Sequence, residues 1–129
     1  MDSTRITIAV SKIRFIRDDW TAEFDHRAIA DCVEALQGEY ASLGVEFELL
    51  DEDRTVEVGS YADLLNAIRL RSNRASLGSP CLGHVIGASP NCDVIEDLKR
   101  GVGRIAFAPE TIAPDGEFRR VCHNCGCGC

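Results

Sequence analysis

The sequence predicts an α/β fold: a single compact domain with a mixed sheet of about five strands and three helices, followed by a cysteine-rich C-terminal tail. Stretches in which every second residue is apolar, as in strands, alternate with stretches that follow the helical period of about 3.6 residues. The length of 129 residues suits one domain with its own core. Four of the seven cysteines lie in the last eight residues, so we divide the chain into a domain at 1–121 and a tail at 122–129.

The first strand is predicted at residues 5–17, which alternate as an extended chain. Its apolar residues occupy even positions up to Val10 and odd positions from Ile13 onwards. The register therefore breaks between these two residues, through a bulge or a sharp twist near Ser11 and Lys12.

The first helix is predicted at residues 24–43, where apolar side chains recur on one face at the helical period. Thr21 or Asp25 can cap its start, and Gly44 stands where a left-handed C-terminal cap is expected. Cys32 lies within the apolar stripe, so we expect a small buried core residue there rather than a metal ligand.

Residues 45–58 predict a β-hairpin. Apolar and acidic residues alternate from Val45 to Leu49, which is typical of a strand with one buried face. Residues 51–53 are all acidic and predict the turn, and residues 55–58 predict a short return strand.

The rest of the domain is predicted from its capping and turn residues. Ser60, with Asp63 three residues later, forms a capping-box pattern, and Ser89 followed by Pro90 is a favoured helix start. Gly101 follows two cations and predicts a helix end. The elements expected in this part are a helix at 61–71, a loop at 71–87, a strand at 84–88, a helix at 89–100 and a strand at 103–108.

Composition and charge restrict the partners of the chain. The net charge of −7 argues against a nucleic-acid partner, because phosphate contact needs a basic surface. No apolar run approaches the ~18 residues of a membrane span, and residues 1–5 lack the features of a signal peptide. We therefore expect no membrane partner and a cytoplasmic location, where clustered thiols stay reduced.

The tail carries the strongest chemical signal in the chain. Its C-x2-C-x-C-x-C pattern consists of Cys122, Cys125, Cys127 and Cys129, and the intervening glycines add no apolar surface. Thiolates this dense repel one another unless a metal ion, a cluster, disulfides or a covalent modification holds them. We expect a soft-metal site, with zinc as the preferred ion and Cu(I) or an iron–sulfur cluster as the other candidates.

A second version of this site takes ligands from the domain. Cys81 and His84 have C-x2-H spacing in a predicted loop, which suits two zinc ligands on one turn. Together with Cys122 and Cys125 they would form a Cys3His zinc site that pins the tail to the domain.

The segment from Cys122 to Cys127 resembles the C-x-x-C-x-C metal-binding segment of nitrile hydratase α subunits. In that family, three thiolates and the backbone amides between them bind a low-spin iron or cobalt ion. The resemblance covers six of the 129 residues, has glycine between its last two cysteines and lacks the surrounding catalytic sequence. It implies a geometry in which three sulfurs converge on one ion, since Gly126 permits the tight backbone turn.

Cys92 has two interpretations. It falls in the first turn of the helix predicted at 89–100, and thiols near helix N-termini can be reactive. We expect instead that Cys92 is buried against the preceding strand, with the reactive thiol as the alternative.

The sequence favours a binding, delivery or accessory module over a free-standing enzyme. It contains no H-E-x-x-H, G-x-S-x-G, P-loop or G-x-G-x-x-G motif. A partner protein would receive metal, sulfur or electrons from the tail, or would modify it. Two alternatives stay open: a thiol relay or sulfur carrier that uses the terminal cysteines, and a precursor peptide whose C-terminal cysteines are modified after translation.

Overall fold

The structure, a computed structural model, describes residues 4–22, 24–74, 80–87 and 92–112. Its elements are β1 (Thr4–Phe15), α1 (His26–Tyr40), a 3-10 turn (Ala41–Leu43), β2 (Val45–Val58), α2 (Tyr61–Leu65), β3 (Ile68–Ser72), α3 (Leu82–Ile86), α4 (Val94–Phe107) and a second 3-10 turn (Pro109–Thr111). The predicted α/β class with a mixed sheet is confirmed. The count of about five strands and three helices is wrong for the described residues, which form three strands and four α-helices.

The sheet has the order β2-β1-β3, so β1 is its central strand. β1 and β2 are parallel, and α1 lies between them in the chain as the crossover that parallel neighbours need. β3 is antiparallel to β1, with Leu70 opposite Ile8. Both outer strands pair with β1, and β3 makes one further backbone bridge, between Arg69 and Cys81, on its other side.

The register break predicted near Ser11 and Lys12 is confirmed, but the predicted hairpin is wrong. Val10 pairs with Asp51 and Lys12 pairs with Thr55. An advance of two residues along β1 therefore corresponds to an advance of four residues along β2, which forms a bulge. A bulge leaves its extra residues unpaired, which suits acidic side chains that stay in solvent. The acidic stretch therefore interrupts one long strand and does not reverse the chain.

The first helix has the predicted caps. The Asp25 carboxylate accepts a hydrogen bond from the backbone N–H of Arg27 at 2.9 Å. After the 3-10 turn, Gly44 adopts φ 75° and donates its N–H to the carbonyl of Ala41. The left-handed conformation explains the glycine, because a side chain there would be strained.

The Ser60 cap predicted for α2 is present, but the Asp63 side chain bonds to the residue before the cap, and this helix is shorter than predicted. Ser60 Oγ accepts from the backbone N–H of Asp63 at 3.3 Å, and the Asp63 carboxylate accepts from the N–H of Gly59 at 2.9 Å. The helix ends at Leu65, and the second half of the predicted helix forms β3. Pairing of Ile68 with Val10 on β1 outweighs the helical pattern, since tertiary context routinely overrides propensity.

The helix α4 runs past its predicted end. Asp93 caps it by accepting from the N–H groups of Ile95 and Glu96, and the helix continues to Phe107. The predicted strand at 103–108 is therefore wrong, and so is the strand at 84–88, because residues 84–86 lie in α3. Gly101 sits inside α4 for packing reasons: a Cβ there would lie 2.4 Å from Cδ1 of Leu82.

The helices and the sheet share one apolar core. α1 packs chiefly on β2, whereas α4 packs on β3, β1 and α3. The largest fully buried side chains are Ile6, Ile8, Ile29, Leu64, Leu65, Ile68, Leu70, Leu82, Leu98 and Ile105. Among the described residues, no helix combines the length and the apolar character required to cross a membrane.

Candidate thiol and metal sites

The four cysteines of the predicted tail site, Cys122, Cys125, Cys127 and Cys129, lie outside the described residues. The boundary between domain and tail at residues 121 and 122 lies outside them as well. The tail site therefore stays a prediction, and the structure bears on the two ligands proposed from the domain and on the other cysteines.

Cys81 and His84 are brought together by α3. Cys81 is the N-cap of this helix, and its buried Sγ accepts a hydrogen bond from the backbone N–H of His84 at 3.4 Å. A capping residue and the third residue of the helix have this same spacing, so Cys81 has a use in the fold without any metal; the bond uses only the backbone of His84. His84 is half-buried on α3.

The domain residues alone do not complete a metal site in the part of the chain that the structure describes. No group of three or more His, Cys, Asp or Glu side chains there is arranged to hold a metal ion. A Cys3His zinc site built on Cys81 and His84 thus requires ligands from the tail, and it stays a prediction.

Cys32 is confirmed as a core residue. It lies on the buried face of α1 with 6% of its surface exposed. Burial raises the pKa of its thiol, and Glu39 adds to the shift while Lys99 opposes it. Because the folded pKa is raised, the stability linked to this group is present below the pKa of an unfolded thiol and is lost as the pH rises through the folded value.

Cys92 is exposed, so the expectation of burial against a preceding strand is wrong. The described part of α4 begins at Val94 with Asp93 as its cap, which leaves Cys92 just outside the first turn. Its backbone has φ 50°, the left-handed region that non-glycine residues seldom adopt.

Cys92 lines a cavity of about 350 Å³ at the N-terminal ends of three helices. Phe24 and Asp25 line it at the start of α1, Tyr61 at the start of α2, and Asp93 at the start of α4. The cavity places a thiol, two helix-capping carboxylates and two aromatic rings around one small volume.

A buried polar cluster beside this cavity was missed by the sequence analysis. The Asp97 carboxylate is 2% exposed; it accepts a hydrogen bond from Tyr61 Oη at 2.5 Å and pairs with Arg100 Nη1 at 3.0 Å. The signal was available, because Asp97 interrupts the apolar face of α4 between Val94 and Gly101. The cluster joins the start of α2 to α4.

Comparison with protein-family models, with curated proteins and with solved structures finds no match to this chain. The function is therefore inferred from the residues and from their arrangement in the fold.

The three cysteines of the domain should differ sharply in reactivity. In a variant with serine at the four tail cysteines, iodoacetamide at about pH 8 should modify Cys92 at least about tenfold faster than Cys32 or Cys81, because the last two are buried. Peptide mass mapping over time measures the order. Denaturation in urea is the control and should make all three react, while early modification of Cys81 in the folded protein would contradict the helix-capping role.

Proposed function

We propose that the C-terminal cluster Cys122, Cys125, Cys127 and Cys129 binds a soft metal ion and that the protein is a metal-binding, delivery or accessory module. Zinc is the preferred ion, with Cu(I) and an iron–sulfur cluster as the other candidates. The observation that carries the proposal is the density of thiols, four within eight residues separated partly by glycine. The glycines between these cysteines add no apolar surface, so core packing does not explain the pattern and its composition needs a chemical explanation.

Electrostatics support a bound cation. Four ionised thiolates would bring a charge of about −4 into a short segment. The nearby cationic or titratable residues are Arg119, Arg120 and His123, which are too few to offset it. A metal ion removes this repulsion directly, because it binds the thiolates themselves.

The use of the other cysteines favours a site made by the tail alone. Cys81 is fully buried, and its Sγ accepts the bond that caps α3. To bind a tail metal, this sulfur would have to give up its hydrogen bond at the start of α3. We therefore propose the four tail cysteines as the ligands, with the Cys81–His84 version as the alternative set.

The role of the tail as a carrier fits a reducing compartment. We propose a cytoplasmic location, because clustered thiols oxidise in more oxidising compartments. We also propose a division into a folded domain at 1–121 and a metal-binding tail at 122–129. The partner would be a protein that accepts the metal. A thiol relay and a covalently modified precursor stay as alternatives with other partners, which would take sulfur or electrons or would modify the tail.

Native mass spectrometry of the full chain, purified without chelator or reductant, tests the proposal. We expect a mass excess of one metal ion or cluster that disappears on acid denaturation and on treatment with a chelator. A variant with serine at all four tail cysteines should carry no metal. Replacing Cys81 with alanine separates the two ligand sets, since the metal should be retained if the tail binds alone.

The alternatives predict different masses. A mass change that survives denaturation means covalent modification and contradicts the metal proposal. A native mass equal to that of the reduced, unmodified chain also contradicts it and favours the thiol relay, for which a mixed disulfide between Cys129 and a partner is the next measurement.

A further inference from the structure

One face of the sheet is without a packed layer in the part of the chain that the structure describes. Ile6 and Ile8 of β1 point into the core with the helices, so Thr7 and Ala9 between them point to the opposite face. Neither residue belongs to the apolar core, although Thr7 is only 8% exposed and Ala9 is half-buried within the single chain. Parallel strand pairs such as β1 and β2 are usually covered on both faces. We therefore expect a second layer of protein on this face.

The uncovered face carries opposite charges on its two sides. Thr7 has Glu48 beside it on β2 and Arg71 beside it on β3. Ala9 has Arg69 beside it on β3, and Arg5 has Glu46 beside it on β2. We call this surface the bipolar face: Glu46 and Glu48 on β2 and Arg69 and Arg71 on β3, about 10 Å apart across β1, which contributes Arg5, Thr7 and Ala9.

The centre of the bipolar face is a shallow groove. It has a volume of about 80 Å³, with Thr7 and Ala9 in the middle and Leu50, Glu52 and Arg71 among its other lining residues. Leu50 is 37% exposed, one of the few large apolar side chains on the surface of the described residues. A partner that covers the groove would therefore bury apolar area as well as meet charges.

The charges of Glu48 and Arg71 are not satisfied within the described chain. Both side chains are exposed, and neither forms an ion pair with another described residue. Other charges on the same strands pair locally, as Arg5 does with Glu46 at 3.6 Å. Glu48 and Arg71 are thus available for pairing across an interface.

We propose that the bipolar face docks onto the same face of a second copy of this chain. The twofold axis is parallel to β1 and lies midway between the two sheets. Rotation about such an axis places β2 of each copy over β3 of the other, so Glu48 faces Arg71 twice. An axis across the strands would instead place acidic β2 over acidic β2, which is repulsive. Sheets stack about 10 Å apart, a distance that extended glutamate and arginine side chains together span.

The net charge of −7 on each copy opposes association. At physiological salt the Debye length is about 8 Å, so this long-range repulsion is largely screened while the close pairs in the interface are not. The dimer is therefore expected at about 0.15 M salt, and its specificity comes from the two Glu48–Arg71 pairs.

Sedimentation velocity of the full chain over a range of concentrations tests the proposal by charge reversal. The chain with serine at the four tail cysteines serves as the background, with reductant and chelator present, so that neither metal nor disulfide links two copies. Arg71→Glu and Glu48→Arg should each raise the dimer dissociation constant by at least about tenfold, because each pair occurs twice. The double variant Glu48→Arg/Arg71→Glu restores both pairs and should dimerise within about threefold of the parent.

Control measurements distinguish variants that have lost the interface from variants that have lost the fold. Glu34→Arg changes an exposed charge on α1, away from the bipolar face, and should leave dimerisation unchanged. Circular dichroism checks that each single variant is folded, and Arg71→Gln and Glu48→Gln replace any variant that is not.

A monomeric parent chain overturns the proposal, and so does a double variant that is folded but does not dimerise. If deletion of residues 113–129 from a monomeric chain exposes dimerisation that depends on Arg71, the face is occupied by the chain's own C-terminal segment instead.

Discussion

Replacing Gly101 with alanine will make the protein less stable than replacing Gly103 with alanine, by about 1–3 kcal/mol in the free energy of unfolding. A Cβ at Gly101 would lie 2.4 Å from Cδ1 of Leu82 and 3.2 Å from Cδ1 of Leu70, and both leucines are fully buried. A Cβ at Gly103 would meet only Tyr40 Oη at 3.7 Å, an ordinary contact.

The two variants are a matched pair because both glycines lie inside α4. Each substitution gains about 1 kcal/mol of helix propensity, so that gain cancels in the comparison and the steric cost remains. Urea denaturation followed by circular dichroism measures both. Gly103→Ala should exceed the parent in stability. Equal stability of the two variants would show that Leu82 moves aside at no cost and that α3 is loosely packed on α4.

Replacing Tyr61 with phenylalanine should lower the free energy of unfolding by about 1.5–3 kcal/mol. The Tyr61 hydroxyl donates to the buried carboxylate of Asp97 at 2.5 Å, and a buried charge that loses a donor is costly. Part of the loss will be recovered through Arg100, whose pairing with Asp97 is still in place.

The other tyrosine in the chain is the control. Tyr40 is half-buried, its pKa is raised by burial and by Glu39, and its hydroxyl makes no hydrogen bond to a described residue. Tyr40→Phe should therefore change stability by no more than about 0.5 kcal/mol. A double-mutant cycle of Tyr61→Phe with Asp97→Ala, which removes the acceptor, isolates the pair, and a coupling near zero would contradict the assignment.

Features that depend on neighbouring residues could be predicted from the sequence. The parity change between Val10 and Ile13 located the point along β1 at which its register with β2 shifts, because side-chain alternation is a local property of a strand. The caps Asp25 and Gly44 were predicted for the same reason, since a cap bonds to backbone groups within one turn.

Features that depend on distant residues could not be predicted in this way. The acidic residues 51–53 have the composition of a turn, but pairing with β1 holds the strand together through a bulge. Gly101 has the appearance of a helix end, and only the closeness of Leu82 explains a glycine inside α4. In both places a contact across the fold decides between two locally acceptable structures.

The candidate sites show the same difference between local features, which could be predicted, and features that depend on distant contacts. The spacing of Cys81 and His84 fits both a metal pair and a helix cap, and burial of the sulfur was needed to identify the cap. Exposure of Cys92 follows from where the described part of α4 begins, two residues after it. Asp97 could have been found, because a carboxylate on an apolar helix face needs a partner.

The central position of β1 has a consequence for synthesis on the ribosome. β1 is made first, yet its antiparallel neighbour β3 is complete only at Ser72. At translation rates of roughly 5–20 residues per second, the ribosome needs on the order of 3 to 11 seconds to go from Phe15 to Ser72. During that interval the nascent chain carries Ile6, Ile8 and Val10 without the full sheet that buries them. In this interval β1 has an unpaired edge, which makes it prone to pair with strands of other chains.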